Sequence, residues 1–310
     1  MIIGHKFWGL PIILGLVLAI VYPYPAFQLN TVIYFLLFSI MFFTSLIYDF
    51  SNNNFSSKNL AYIFLFLFFG FLLMPAVQWF LSQFMVQDHA LQQGLFYASL
   101  SPIAIVAPHL VKLKNGKDSL SYQLMWLTTF MSPLLLLLMS LLFSPQHIDI
   151  NLYSYIKDLA FLCFFPILLS SIFKKIIKKE NVYIQNIKKY LPSLNFICIG
   201  LLSYTLMGTM LVKVGFSAIS YRDLFAVLLL ALIQDFGTYL FAKFILPENS
   251  DPTLKKTLMI SISIKNVALT AGLLLFYQPK MAFAAAAGLL AHALFFIYLS
   301  FNSKDEKSNA

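Results

Sequence analysis

Charge is what this chain of 310 residues has least of. Only 11% of it is charged, and 12 residues are acidic. A soluble domain of this length needs a polar exterior; with 60% hydrophobic residues and a mean hydropathy of +0.81 the chain cannot supply one. Cysteine is equally scarce. Cys163 and Cys198 lie inside apolar runs without metal-ligand spacing, which excludes a disulfide framework and a cysteine metal site. Paired carboxylates, metal-spaced His/Cys sets and a nucleophile beside a base are also missing, so an enzyme is not expected, and no cofactor or metal is called for. The net charge of +9 does not point to nucleic acid, because the lysines sit in short runs between apolar segments. The first apolar run ends in YPYP rather than a small-residue cleavage site, and reads as a membrane helix rather than a signal peptide.

What the chain has instead is long apolar runs. A membrane-spanning helix needs about 20 mostly apolar residues, and ten stretches qualify: 7–24, 31–49, 60–84, 92–112, 119–143, 153–173, 191–213, 221–246, 256–277 and 280–301. Ten crossings put both termini on one side. That side collects sixteen lysines, including Lys6, Lys58, Lys112, Lys174, Lys188, Lys255 and Lys304, against Lys213, Arg222 and Lys280 on the other. By the positive-inside rule both termini are expected in the cytoplasm, and the protein in the cell inner (plasma) membrane. The expected organisation is one membrane-embedded unit. Residues 1–173 carry helices 1–6, 174–190 form a basic cytoplasmic linker, 191–301 carry helices 7–10, and 302–310 are a polar tail. A count of ten divides five plus five with the second half inserted in the opposite sense, the plan of inverted-repeat secondary transporters. The basic linker also suits anionic lipid headgroups.

Two helices stand out as interrupted, each fourth in its half. The first, QQGLFYASLSPIAIVAPHLVKLKNG, carries Pro102 and Pro108, each of which removes a backbone donor and clashes with the preceding turn. The second, KKTLMISISIKNVALTAGLLLFY, carries Ser261, Ser263, Lys265 and Asn266 at its middle. An ammonium there costs a few kcal/mol unless it is paired or faces a watery cavity. A crossed, broken pair of helices 4 and 9 is therefore expected, with the binding site at the interruptions.

The block from Pro102 to Pro133 and the Lys265 stretch resemble the bile acid:sodium symporter family, ten-helix transporters with a panel and a core domain. Pro102, Gly116, Leu120, Ser121, Thr129 and Pro133 fall at the family's spacings, as do Asn266, the following VALTAGLLLF, and Pro75 closing FLLMP. The resemblance implies an organic-anion carrier. Its departures fall on the residues the family uses to hold sodium: Ala107-Pro108 replace a Ser-Asn pair, Met125 a Thr, Ser261 a Glu, Lys265 a Gln and Gly70 a Gln. Of the side-chain ligands that align, only Ser121 keeps a usable oxygen at its position. Sodium needs oxygen ligands, and a fixed ammonium among them repels it, so sodium coupling is not expected.

Candidate substrate- and ion-binding residues are Lys265, Asn266, Ser261, Ser263, Pro108, His109, Ser121, Thr128 and Asp235. Lys265 has three readings: an ammonium that replaces sodium and fixes the crossed helices, a group that changes protonation during transport, or an attractor for an anionic substrate. Asp235, in the middle of helix 8, is a candidate ion-pair partner. His292, in GLLAHALFF, reads as an interhelical hydrogen bonder. The expected function is secondary transport of a small organic anion, a bile-acid-like molecule or another carboxylate, by alternating access, proton-coupled or facilitative. The alternative is a non-transporting membrane sensor that keeps the fold.

Overall fold

The computed structural model describes residues 9–48, 57–143, 151–176, 182–246 and 251–301. Among these the chain is helical, with no strand. The helices are α1 Leu10–Val21, α2 Pro23–Gln28, α3 Ile33–Ile47, α4 Ser57–Phe68, α5 Met74–Met85, α6 His89–Ser99, α7 Ala107–Leu113 and α8 Asp118–Phe143. They continue with α9 Leu152–Ile176, α10 Val182–Lys213, α11 Tyr221–Leu232, α12 Thr238–Ile245, α13 Pro252–Ser263, α14 Val267–Tyr277 and α15 Pro279–Phe301. Single π turns, Phe69–Leu73 and Ile233–Gly237, join α4 to α5 and α11 to α12 into continuous rods.

Seven helices among the described residues are long and apolar enough to cross a bilayer. At 1.5 Å per residue the 26 residues of α8 reach about 39 Å, past a hydrocarbon core of about 30 Å. Large apolar side chains cover the outside, among them Phe64, Phe84, Leu134, Leu141 and Phe244, each more than 60% exposed. In water such a surface would aggregate; in lipid it is the solvated face. The chain is a multi-pass membrane protein.

Three of the ten sequence candidates do not form one helix of spanning length, each for a local reason. Stretch 7–24 yields the 12-residue α1, because Pro23 ends it and starts the short α2. Stretches 92–112 and 256–277 are each cut in two. The linker expected over 174–190 is also shorter than expected. Residues 174–176 belong to the last turn of α9 and 182–190 to the first turns of α10, while 177–181 lie outside the described residues, as do the N-terminal residues 1–8 and the tail 302–310.

Two packing groups emerge. Helices α1, α3, α9 and α10 pack chiefly on one another, α5, α6, α11, α14 and α15 form a second group, and α13 packs on α7, α8 and α12. Helix α15 is central, with 72% of its apolar window buried against 33% for α9. Small residues permit that. The chain of α15 passes so close to α6 that a Cβ on Gly94 would stand 2.2 Å from the Met281 carbonyl oxygen.

Caps fix the helix starts. Asp88 accepts the amides of Ala90 and Leu91 through Oδ1, and its Oδ2 takes the Lys280 ammonium at 2.7 Å. Asp251 repeats the arrangement: Oδ1 accepts the Thr253 amide, and Oδ2 takes the Lys117 ammonium at 2.7 Å. Each acid so placed also faces the positive end of its helix. Bonds from Lys117 and Thr253 hold the Asp251 carboxyl down at about 2, against its ordinary 3.8. Burial pushes Asp88 up, but Lys280 and the capped amides outweigh it and hold it below its usual value.

Candidate functional site

The two interruptions meet. Between α6 and α7 the chain leaves the helix at Leu100, because Pro102 has no N–H to continue the ladder and Pro108 seats the next helix at its first turn. Between α13 and α14, Ile264 is extended, and Asn266 restarts the helix by accepting the Leu269 amide at 3.3 Å. Both breaks leave buried backbone groups without helical partners, and the two segments satisfy each other. The Ala104 amide donates to the Ile264 carbonyl at 2.8 Å, and the Asn266 amide to the Pro102 carbonyl at 2.7 Å, so that Ile103 and Lys265 pair antiparallel. Helix α8 supplies the rest: Thr128 Oγ1 accepts the Ile103 amide at 3.1 Å, and Ser132 Oγ donates to the Leu100 carbonyl.

Lys265 is wholly buried at this junction. Its Nζ donates to the Gly70 carbonyl at 2.7 Å and stands 3.2 Å from the centroid of the Phe71 ring. Gly70 and Phe71 belong to the first π turn, where the ladder is irregular and a carbonyl is free to accept. Gly70 cannot carry a side chain here, since a Cβ would lie 2.4 Å from Ile262 Cγ2 and 3.9 Å from Nζ.

Asp235 does not pair with Lys265. No ion pair joins them; the carboxylate Oδ2 instead meets His292 Nδ1 at 2.6 Å. The other ring nitrogen of His292, Nε2, meets the Lys265 backbone carbonyl at 2.6 Å. Matching depth in adjacent helices suggested a direct pair, but α15 inserts between and its imidazole takes the carboxylate, while the Lys265 side chain turns toward α4–α5. His292 is thus more than the interhelical bonder read from sequence: it joins Asp235 on the second π turn to the backbone of the second break. A lone histidine in an apolar run gave no signal of that.

The remaining candidates are placed as follows. Ser121 Oγ and Ser261 Oγ bond to each other at 2.7 Å. Ser263 Oγ donates to the Met259 carbonyl, and Thr128 Oγ1 to the Met125 carbonyl. Pro108 lies in the first turn of α7, and His109 Nδ1 bonds Tyr48 Oη at 2.8 Å. Neither Pro108 nor His109 reaches the two cavities described next.

The larger cavity has an empty volume of about 610 Å³, counting the space at its mouth. Ala104–Val106 of the first break and Lys265–Ala268 of the second form one wall, and α1, α3 and α10 the other through Ile12, Leu37 and Phe196. Its surface is mostly apolar, and among the described residues Lys265 and His292 are the only ionisable ones that line it. The smaller, of about 280 Å³, lies on the other side of His292, between α5, α6, α11 and α15, with Gln78, Ser99, Gln234 and Asp235 in its wall. His292 and Val267 line both.

A cavity bounded by two broken helices in a multi-pass membrane protein narrows the class, and sequence comparison decides it. The family model described as Sodium Bile acid symporter family matches residues 31–217. The chain belongs to that family. Members of the sodium bile acid symporter family are transporters, and the chain is one of that type; the match runs from α3 to the end of α10 and takes in the first break, the second lying beyond it. No curated protein matches the chain.

Proposed function

We propose that the chain is a secondary transporter that moves an amphipathic organic anion by alternating access, without sodium coupling. The observation that carries this is the 610 Å³ cavity, whose one wall is built from both breaks and whose other wall belongs to the α1–α3–α10 group. An apolar pocket whose wall includes Lys265 and His292 suits a molecule with an apolar body and one negative group, the Lys265 ammonium acting from behind that wall, where it is held on the Gly70 carbonyl. Its position between two packing groups is where a core can move against a panel.

Ten crossings in two inverted halves, with helices 4 and 9 broken and crossed, are part of the same reading. A near-constant offset supports it. The second π turn, Ile233–Gly237, follows the first, Phe69–Leu73, by 164 residues. The capping Asp251 follows Asp88 by 163, and Lys280 follows Lys117 by 163. Lys265 follows its bridge partner Ile103 by 162. Four unlike features at one spacing are hard to obtain without a repeat.

The absence of sodium coupling draws on Lys265, whose ammonium already takes the Gly70 carbonyl at 2.7 Å. The Ser121, Ser261, Ser263 and Thr128 hydroxyls are each bonded inside the protein. Coupling, where present, is to protons. The cell inner membrane with both termini cytoplasmic is the orientation this reading adopts from the lysine asymmetry.

Uptake by proteoliposomes tests it. Labelled taurocholate, a 2-oxo acid and pantothenate would be offered with sodium, then with sodium replaced by choline, then under a pH gradient. Uptake of at least one anion that survives choline replacement is expected. Accumulation that requires a sodium gradient would refute the coupling, and binding without uptake would return the sensor reading.

A further inference from the structure

His292 holds two acceptors at once, and that restricts its protons. The Lys265 carbonyl can only accept, so the 2.6 Å contact requires a proton on Nε2. The Nδ1–Oδ2 contact with Asp235, also 2.6 Å, then requires a second proton between nitrogen and carboxylate, since a bare lone pair facing a carboxylate is repulsive. The arrangement seen is the state with that proton in place.

Removing it leaves one N–H for two acceptors. The bond to a carboxylate is charge-assisted and roughly twice as strong as one to a neutral carbonyl, so the remaining proton goes to Nδ1 and the Nε2–Lys265 bond is lost. Lys265 and Asn266 line the large cavity. Proton loss on the Asp235 side therefore releases backbone on the substrate side.

The small cavity gives that proton a place to come from. Gln78 and Gln234 are 2% and 5% exposed, yet Gln78 Oε1 and both amide atoms of Gln234 have no partner in the protein. Buried amides of this kind call for water, and they share the cavity wall with Asp235. The ionisable groups around His292 are few. Asp235 comes from the π turn after α11 and Lys265 from the break before α14, and the walls of both cavities contain no other.

We infer that Asp235 and His292 form a proton-binding site, filled from the small cavity, whose occupancy makes or breaks the His292–Lys265 bond at the large one. The balance is one proton: it arrives as hydronium and is passed on by water in the small cavity, which is left neutral, and the carboxylate–imidazole pair takes it between Oδ2 and Nδ1. The link from this bond to substrate movement rests on the transport reading above; the site itself does not.

Nitrogen NMR of the full chain, ¹⁵N-labelled at histidine and held in lipid nanodiscs, tests this across an acid-to-alkaline titration. The variant His292→Gln identifies the His292 signals by their loss. Wild type is expected to show both ring nitrogens protonated at the acid end and only Nδ1 at the alkaline end. In Asp235→Asn the amide donates to Nδ1, so His292 is expected to stay neutral with its proton on Nε2 throughout, and Asp235→Glu is expected to restore the transition. A wild-type His292 in one protonation state throughout would overturn the proposal, as would an Asp235→Asn variant that titrates like wild type. The spectra need no substrate, so failure of every anion to enter proteoliposomes would count against the transport reading alone.

Discussion

Replacing Lys265 with Met separates a structural ammonium from a functional one, because the opposing terms can be estimated from its surroundings. The substitution removes the charge-assisted bond to the Gly70 carbonyl, worth about 1.5–3 kcal/mol. It also removes the cation over Phe71, worth about 2 kcal/mol in a desolvated setting. Against these stands the cost of keeping an ammonium wholly buried, several kcal/mol even after relaxation. Asp235 keeps its His292 partner at 2.6 Å, so the change strands no carboxylate. The Gly70 carbonyl loses a donor, and an under-satisfied carbonyl is tolerated better than an orphaned N–H. Met has nearly the volume and flexibility of the lysine stem. The sums offset to within about 2 kcal/mol, or a melting shift of no more than about 8 °C at the sensitivity of a large domain. Thermal unfolding in detergent, followed by the fluorescence of the three tryptophans, reads this directly. Anion uptake is expected to fall while the fold survives. A loss of more than about 5 kcal/mol, beyond the whole favourable side of the sum, would show the ammonium to be a structural pin and would sink the argument.

Other substitutions probe the same network. Asp235→Ala leaves His292 Nδ1 buried without a partner and is expected to cost about 1–3 kcal/mol more than Asp235→Asn; equal melting temperatures would contradict the assigned bond. The Lys117–Asp251 pair is about 40% exposed, so after screening it contributes under about 1 kcal/mol. Its sign is fixed by the lowered carboxyl: the stabilisation is complete above the ordinary 3.8 and is lost as pH falls through about 2. Asp251→Asn should therefore lower the neutral plateau of a melting-temperature profile by the equivalent of under about 1 kcal/mol and flatten its acid limb, so that it meets wild type at the acid end. Gly94→Ala meets the Met281 carbonyl at 2.2 Å and should cost about 1–3 kcal/mol. Gly237→Ala, whose nearest neighbour is Ile233 Cγ2 at 3.6 Å, should be neutral or stabilising, and a reversed order of melting temperatures would refute the packing of α6 on α15.

Much of the fold was legible because a bilayer demands so little of a sequence. Seven apolar runs became seven helices of spanning length, and the two stretches flagged as interrupted are the two the structure cuts. The prolines announced the first break. The second was legible from Ser261 to Asn266, although only Asn266 acts as a cap. The π turns were invisible: Phe69–Leu73 is FGFLL, and nothing in that run distinguishes one extra residue per turn from a regular helix. The partners of Lys265 were therefore out of reach, since an acceptor that is a backbone carbonyl has no residue signature. Sequence offered Asp235 as the only acid at a suitable depth, and geometry gave that acid to His292.

The repeat shows the same limit from the other side. On the proposed inverted halves, the features that recur are a capping aspartate, a lysine at the start of a later helix, an irregular turn and a break. Each is specified by one or two residues, and the apolar positions between them need only hydrophobicity and volume. Such filler diverges freely, so the halves lose sequence likeness while keeping the few positions where backbone groups or charges need partners. The departure from symmetry then carries the chemistry. Ile103 and Lys265 occupy equivalent places in the paired breaks, bonded to each other's strand by matching backbone contacts. One is aliphatic and the other an ammonium. A second cation opposite the first would put two like charges in one buried site, whereas an aliphatic partner leaves a single positive group behind the wall of the cavity. A symmetric backbone with one charge therefore gives the cavity a polarity, and an anion entering it has one end to prefer. Exchanging the two, Ile103→Lys with Lys265→Ile, keeps the volume and the backbone pairing but moves the ammonium away from the Gly70 carbonyl. It is expected to fold poorly and to lose anion uptake, and full uptake by the exchanged variant would show that the position of the charge does not matter.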